Sequence, residues 1–196
     1  GAIQSVRAQK RIDKAITDSD AQSSAEITNL FARPEETAQM LSAGSGQQFT
    51  ADDVTELRNL TGPIETSDAV RKSDERHIAL LAKASQAEDE GDPQRAYRFK
   101  QMALEESRNK GTLAIQHLAK AADLNLQIKD ALQQADEIEA APAADAKAKK
   151  EAKTQALEIR ESVDLARAVV KIGRGLEAEL TKAETTILKK EKAYES

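Results

Sequence analysis

The chain has no cysteine and no tryptophan, and its aromatic residues amount to only 3%. Without cysteine there are no disulfides, no thiolate metal sites and no cysteine nucleophile, which fits a reducing compartment. Large aromatic side chains normally supply much of the buried area of a globular core. With so few of them, thin seams of Ala, Leu, Ile and Val between helices are expected instead of a thick core. No apolar run approaches the roughly 20 residues needed to span a bilayer, and no signal-peptide apolar region is visible. Runs of β-branched residues alternating with helices, the mark of a parallel sheet, are also missing.

Catalytic and ligand-binding signatures are equally scarce. There is no G-x-S-x-G turn. Gly44-Ser45-Gly46 and Gly173-Arg174-Gly175 lack the residues and the strand-to-helix context of a phosphate loop, and both read as flexible joints. Glu88-Asp89-Glu90-Gly91-Asp92 has the wrong spacing for a calcium loop and runs into Pro93, so it reads as an acidic helix junction. The two histidines, His77 and His117, fall on separate predicted helices, one expected to face solvent and one to face a helical seam. No catalytic residue, no metal ligand and no cofactor is expected.

What the chain does hold is charge, at 32% of residues with a net of −5, together with abundant Ala, Glu, Lys, Gln and Leu. Such composition with helical periodicity favours long helices or coiled coils. The charge is unevenly placed: residues 1–14 carry four basic side chains against one acidic, and residues 35–92 carry five against 13. Residues 143–196 are near balance, with 12 basic and 10 acidic.

Punctuation divides the chain into helices. A first helix is predicted over residues 2–31, its apolar stripe running through Ile12, Ile16, Ser19, Ser23, Ile27 and Leu30, with the serines weakening the middle. Arg33-Pro34 stops it. A short helix from Pro34 through Leu41 follows, then a flexible loop over residues 42–46. Thr50 and Asp53 form an N-cap pair for a helix through Leu60, which Gly62-Pro63 closes. The next helix runs from near Ser67 to about Glu90, and Gly91 is a natural stop. Asp92-Pro93 then opens a helix that continues to Ala141, where Ala141-Pro142-Ala143-Ala144 breaks it. A second long helix runs towards Tyr194.

The long helices carry apolar stripes: Leu124, Ile128, Ala131, Ala135 and Ile138 on the first, at heptad spacing; Ile159, Val163, Val170, then Leu176, Leu180 and Ile187 on the second. The fold predicted is all-α: short N-terminal helices, then two long helices folded as an antiparallel helical hairpin or coiled coil, the alternative being one continuous kinked rod. Three regions are expected: an N-terminal arm over 1–46, short acidic helices over 47–92, and the long hairpin over 93–196. Charged residues at i,i+4 spacing, Glu106 to Lys110 and Asp145 to Lys149, are expected to pair along their own helices.

Gly91-Asp92, Ala96, Phe99 and Ala103-Leu104, with Leu80, Leu81 and Ala84 before them, resemble one tetratricopeptide repeat. No second copy follows at the family's period, and no proline closes the motif after Leu104. The resemblance therefore implies a local helical hairpin over 68–108 and not a peptide-binding superhelix. In composition the chain is similar to internal or tail-associated virion proteins of short-tailed phages, and a virion interior fits zero cysteine as well.

The function expected is that of a non-catalytic structural or assembly protein. Its seam positions, Leu124 to Ile187 as named above, would serve self-association or incorporation into a larger complex. One alternative is a membrane-surface module using the basic N-terminal helix. With a preceding Met, Gly1 and Ser5 would match an acylation pattern beside Arg7, Lys10 and Arg11. Another alternative is nucleic-acid binding through Lys147, Lys149, Lys150 and Lys153, disfavoured by balancing acids and the lack of stacking aromatics.

Overall fold

The computed structural model describes residues 2–172, with side chains over 6–170. Its order is α1 (Ala2–Ala32), α2 (Pro34–Ser45), α3 (Ala51–Thr61), a 3-10 turn (Ile64–Thr66), α4 (Asp68–Asp89), α5 (Pro93–Ala140) and α6 (Ala146–Ile172). Among the described residues there is no strand, and the chain is all-α as the sequence predicts. Gly173-Arg174-Gly175 and the stripe residues Leu176, Leu180 and Ile187 lie outside the described residues.

Most helix ends obey local chemistry. Thr50 and Asp53 form a full capping box: the Asp53 N–H donates to Thr50 Oγ1 at 3.3 Å, and the Thr50 N–H donates to Asp53 Oδ2 at 2.8 Å. Asp92 accepts from the Arg95 N–H at 3.1 Å, with Pro93 in the first turn. Gly91, at φ 75°, supplies the left-handed residue that turns α4 into α5.

Two local expectations need correction. The segment 42–46 is no flexible loop: α2 continues to Ser45, and the left-handed stop is Gly46, at φ 71°. Ser42 and Ser45 donate back to the carbonyls of Ala38 and Leu41 at 2.7 and 2.9 Å, holding the last turn together. Ser42 Oγ also accepts from the Phe49 N–H at 2.8 Å, which fixes the chain's return towards α3. The two charged i,i+4 pairs are likewise replaced. Glu106 bonds Arg76 and Lys110 bonds Asp74, both on α4. Asp145 instead caps α6 by accepting from the Ala148 N–H at 2.8 Å.

The 48-residue helix α5, roughly 70 Å long, is the element on which α1, α3, α4 and α6 pack, while α2 packs on α3 and α1. α1 and α4 lie against its first half, α3 and α6 against its second. Its buried stripe changes in size along the way. Ala96, Ala103, Ser107, Gly111 and Ala114 come first, where α1 and α4 crowd it together. Leu118, Leu124 and Ile128 follow, where α3 and α6 approach. Small residues let helix axes come close, and larger ones fill the wider gaps. The cluster of Ile27, Leu30, Leu41, Phe49, Val54, Leu57, Ile64 and Val70 closes over the middle of α5. The α4–α5 pair expected from the repeat resemblance is present, but the helix lying on it is α1.

Gly111 faces α1 across this contact. A Cβ built there would sit 2.9 Å from Glu26 Oε2, the tip of an exposed, flexible side chain. Because that tip can swing aside, Gly111→Ala is expected to stabilise the protein by about 0.5–1 kcal/mol through helix propensity. Chemical denaturation checks this; a loss of stability would show that α1 itself must move.

Candidate functional site

Alanines alternate with larger aliphatic side chains in the seam between α5 and α6. Leu124, Ile128, Ala131 and Ala135 of α5 bury against Ala156, Ile159, Val163, Ala166 and Val170 of α6, with Ile138 partly buried beside them. The seam positions predicted within the described residues therefore meet in one cluster inside the chain. Leu60 of α3 is that cluster's one buried member from elsewhere. Arg160 straps the two helices together, reaching Asp136 at 2.8 Å and Glu139 at 2.7 Å. A buried alanine methyl contributes well under what a leucine does, so the seam gains closeness more than area.

A polar junction ties the root of the seam to α3. Lys129 Nζ lies 2.9 Å from Asp53 Oδ1 and 2.8 Å from Glu56 Oε2, and Asn125 donates to the same Glu56 oxygen at 3.1 Å. Burial pushes the Asp53 carboxyl up, but the Thr50 N–H and the Lys129 ammonium hold it below its ordinary 3.8. Lys129, and then Asn125, likewise hold Glu56 below its ordinary 4.5. Beside them an open cleft of about 400 Å³ is lined by Glu56, Asn59, Leu60, Asn125, Lys129 and Arg167.

A second polar layer crosses α1, α4 and α5. His77 Nδ1 is 2.9 Å from the Ala103 carbonyl, and Nε2 is 3.0 Å from Asp20 Oδ2. Ser107 donates to Asp20 Oδ1 at 2.6 Å, and Ser23 donates to the Ser107 carbonyl at 2.6 Å. His77 is 9% exposed and His117 fully buried, so the expectation that one histidine faces solvent fails. The reason is that α1 covers the face of α4 carrying His77. Serine, histidine and aspartate are neighbours here, yet Ser107 bonds the aspartate and not the imidazole, and it is itself buried. That order provides no base for a serine nucleophile.

Lys100, also buried, joins the same three helices, with Nζ 2.9 Å from Asp13 on α1 and 2.7 Å from Glu88 on α4. Burial pulls its ammonium down, but the Glu88 and Asp13 carboxylates more than offset this and hold it above its ordinary 10.5. Sequence reading passed over Lys100, Asp20 and Ser107. The available signal was their position: Ala96, Lys100, Ala103 and Ser107 step by four, three and four along one face of α5. Ile12 and Ile16, the apolar side of the basic N-terminal helix, are buried against Ala103 and its neighbours. Among the described residues no three His, Asp or Glu side chains converge as a metal site, and no helix is long and apolar enough to cross a membrane.

The Lys129 junction makes a pH-dependent contribution. Both of its carboxyls ionise more readily in the folded chain, so its stabilisation is complete above their ordinary values of 3.8 and 4.5 and is lost as pH falls below them. Lys129 and Glu56 are nearly half exposed, which limits the contribution to about 1 kcal/mol. Lys129→Met should therefore destabilise the chain by about that much at neutral pH, with the gap to wild type closing below about pH 4. Denaturant melts across pH measure it; a gap independent of pH would remove the junction's electrostatic role. No protein-family model, curated protein or solved structure matches this chain, so its function is read from the geometry just described.

Proposed function

We propose that the chain is a non-catalytic structural or assembly protein, in which a bundle of α1 to α5 carries an antiparallel α5–α6 hairpin offered to other copies or subunits. The observation that carries the reading is where α5 loses its other neighbours. The polar contacts from α3 end at Asn125 and Lys129. The remaining 11 residues to Ala140, roughly 16 Å of helix, pack against α6. Antiparallel pairing is supported by Arg160 meeting Asp136 and Glu139 while Arg167 shares a cleft with Asn125 and Lys129.

A two-helix arm with an alanine seam buries little and has solvated outer faces, an arrangement suited to docking and not to enclosing a substrate. The bundle supports it from below: Leu60 reaches the seam and Lys129 is tied to α3, so the arm's direction is fixed. A structural component of a particle, the class that the composition resembles, needs a surface of this kind.

Cysteine-free sequence makes the test simple. Spin labels at Gln134→Cys and Ser162→Cys should lie within about 20 Å of each other in a hairpin, whereas one continuous helix would separate them by roughly 42 Å. Small-angle scattering of the same chain should give an elongated particle. The long label distance, or a roughly spherical particle, would defeat the reading.

A further inference from the structure

We infer that α1 and the start of α5 form a phosphate-binding surface whose partner is the backbone of a nucleic-acid duplex. Arg7, Lys10, Arg11 and Lys14 stand at i, i+3, i+4 and i+7 of α1, which places them on one face of that helix. All four are exposed, and the buried Ile12 and Ile16 lie on the opposite side. Asp13, the one acid among residues 1–14, is drawn away to Lys100 at 2.9 Å. None of the four basic side chains makes an ion pair among the described residues, so the strip keeps its charge.

A groove opens beside the strip. It holds about 310 Å³ between Ala8 and Gln9 of α1 and Gln94, Tyr97, Arg98 and Gln101 of α5, and no acid lines it. Ala8 and Arg11 are neighbours at i,i+3, which makes strip and groove continuous. Arg98 is exposed and makes no ion pair among the described residues either. Guanidinium, ammonium and amide N–H groups are the donors that phosphate oxygens accept from, with Arg able to bind them in pairs.

The surroundings select the partner. Ile12 and Ile16 pack on Ala103 and its neighbours, so they are not available to enter a lipid surface. The Tyr97 ring packs on the same cluster and offers no platform for an unstacked base, which disfavours a single strand. A duplex backbone needs neither, since it presents about one charge per 1.7 Å of axis to charge and hydrogen bonds alone. Arg7 to Lys14 cover roughly 10 Å of helix, which puts several phosphates within reach. Residues 35–92, with 13 acids against five bases, repel the same partner and confine it to this end of the bundle.

Fluorescence anisotropy of the full chain with a labelled DNA duplex of about 20 base pairs tests this. Five cations on phosphates give a log–log salt slope of about −4.5, so the dissociation constant should weaken roughly 500-fold from about 50 to about 200 mM salt. Arg7→Gln with Arg11→Gln should flatten the slope by about 2, and Arg98→Gln by about 1, with circular dichroism unchanged. Lys147→Gln with Lys149→Gln and Lys150→Gln, on α6, should change neither affinity nor slope. No binding at about 50 mM salt would overturn the assignment. So would a slope that only the α6 lysines move. Phosphatidylserine vesicles or a polyglutamate peptide that bound the chain more tightly than the duplex at equal salt would also overturn it, giving the surface to lipid or to an acidic protein. The spin-label distance between α5 and α6 is independent of every one of these readouts, so the scaffold reading keeps its own test.

Discussion

The structure depends on how closely other helices can approach α5. Apart from Lys100, the buried side of its first half carries only small residues, Ala96, Ala103, Ser107, Gly111 and Ala114. That lets α1 and α4 lie on it together. Farther on, Leu118, Leu124 and Ile128 restore bulk, and the neighbours become α3 and α6. One long helix thus changes partners along its length because its stripe changes in size. The scarcity of aromatics fits this arrangement, since a core of close-set small residues has no room for them.

Close approach through small residues buries little apolar area, and the gap is filled by polar contacts that demand geometry. His77, Asp20, Ser107 and Ser23 link three helices through hydrogen bonds, and Lys100 links the same three through Asp13 and Glu88. Such groups are costly to bury unless every partner is in place. They therefore select one register of α1 and α4 on α5 more sharply than an alanine seam could. The same logic recurs at Lys129, where a bridge between α3 and α5 fixes the base of the outer α5–α6 segment.

Beyond Lys129 the balance shifts from intrachain packing to exposed surface. There α5 and α6 hold each other through Ala131, Ala135, Ala156, Ile159 and Val163, with Arg160 as a strap. Their outer faces are charged: Asp130, Asp136, Glu137 and Glu139 on α5, and lysines mixed with Glu151, Glu158, Glu161 and Asp164 on α6.

The sequence by itself determined the helices and most of their ends. Prolines after Arg33 and Asp92, the Thr50–Asp53 pair and Gly91 act through local hydrogen bonds and backbone angles, which need no distant partner. It also marked the stripe from Leu124 to Ala135, because heptad spacing is a property of one helix. Only tertiary structure decided what each face meets. Ser23 of α1, a weak point of the apolar stripe, is buried because it donates to the Ser107 carbonyl of α5. Neither histidine faces solvent, His77 because α1 covers it, and Glu106 and Lys110 find partners on α4 and not on their own helix. Those outcomes depend on contacts between residues as many as 87 positions apart, which no local pattern encodes.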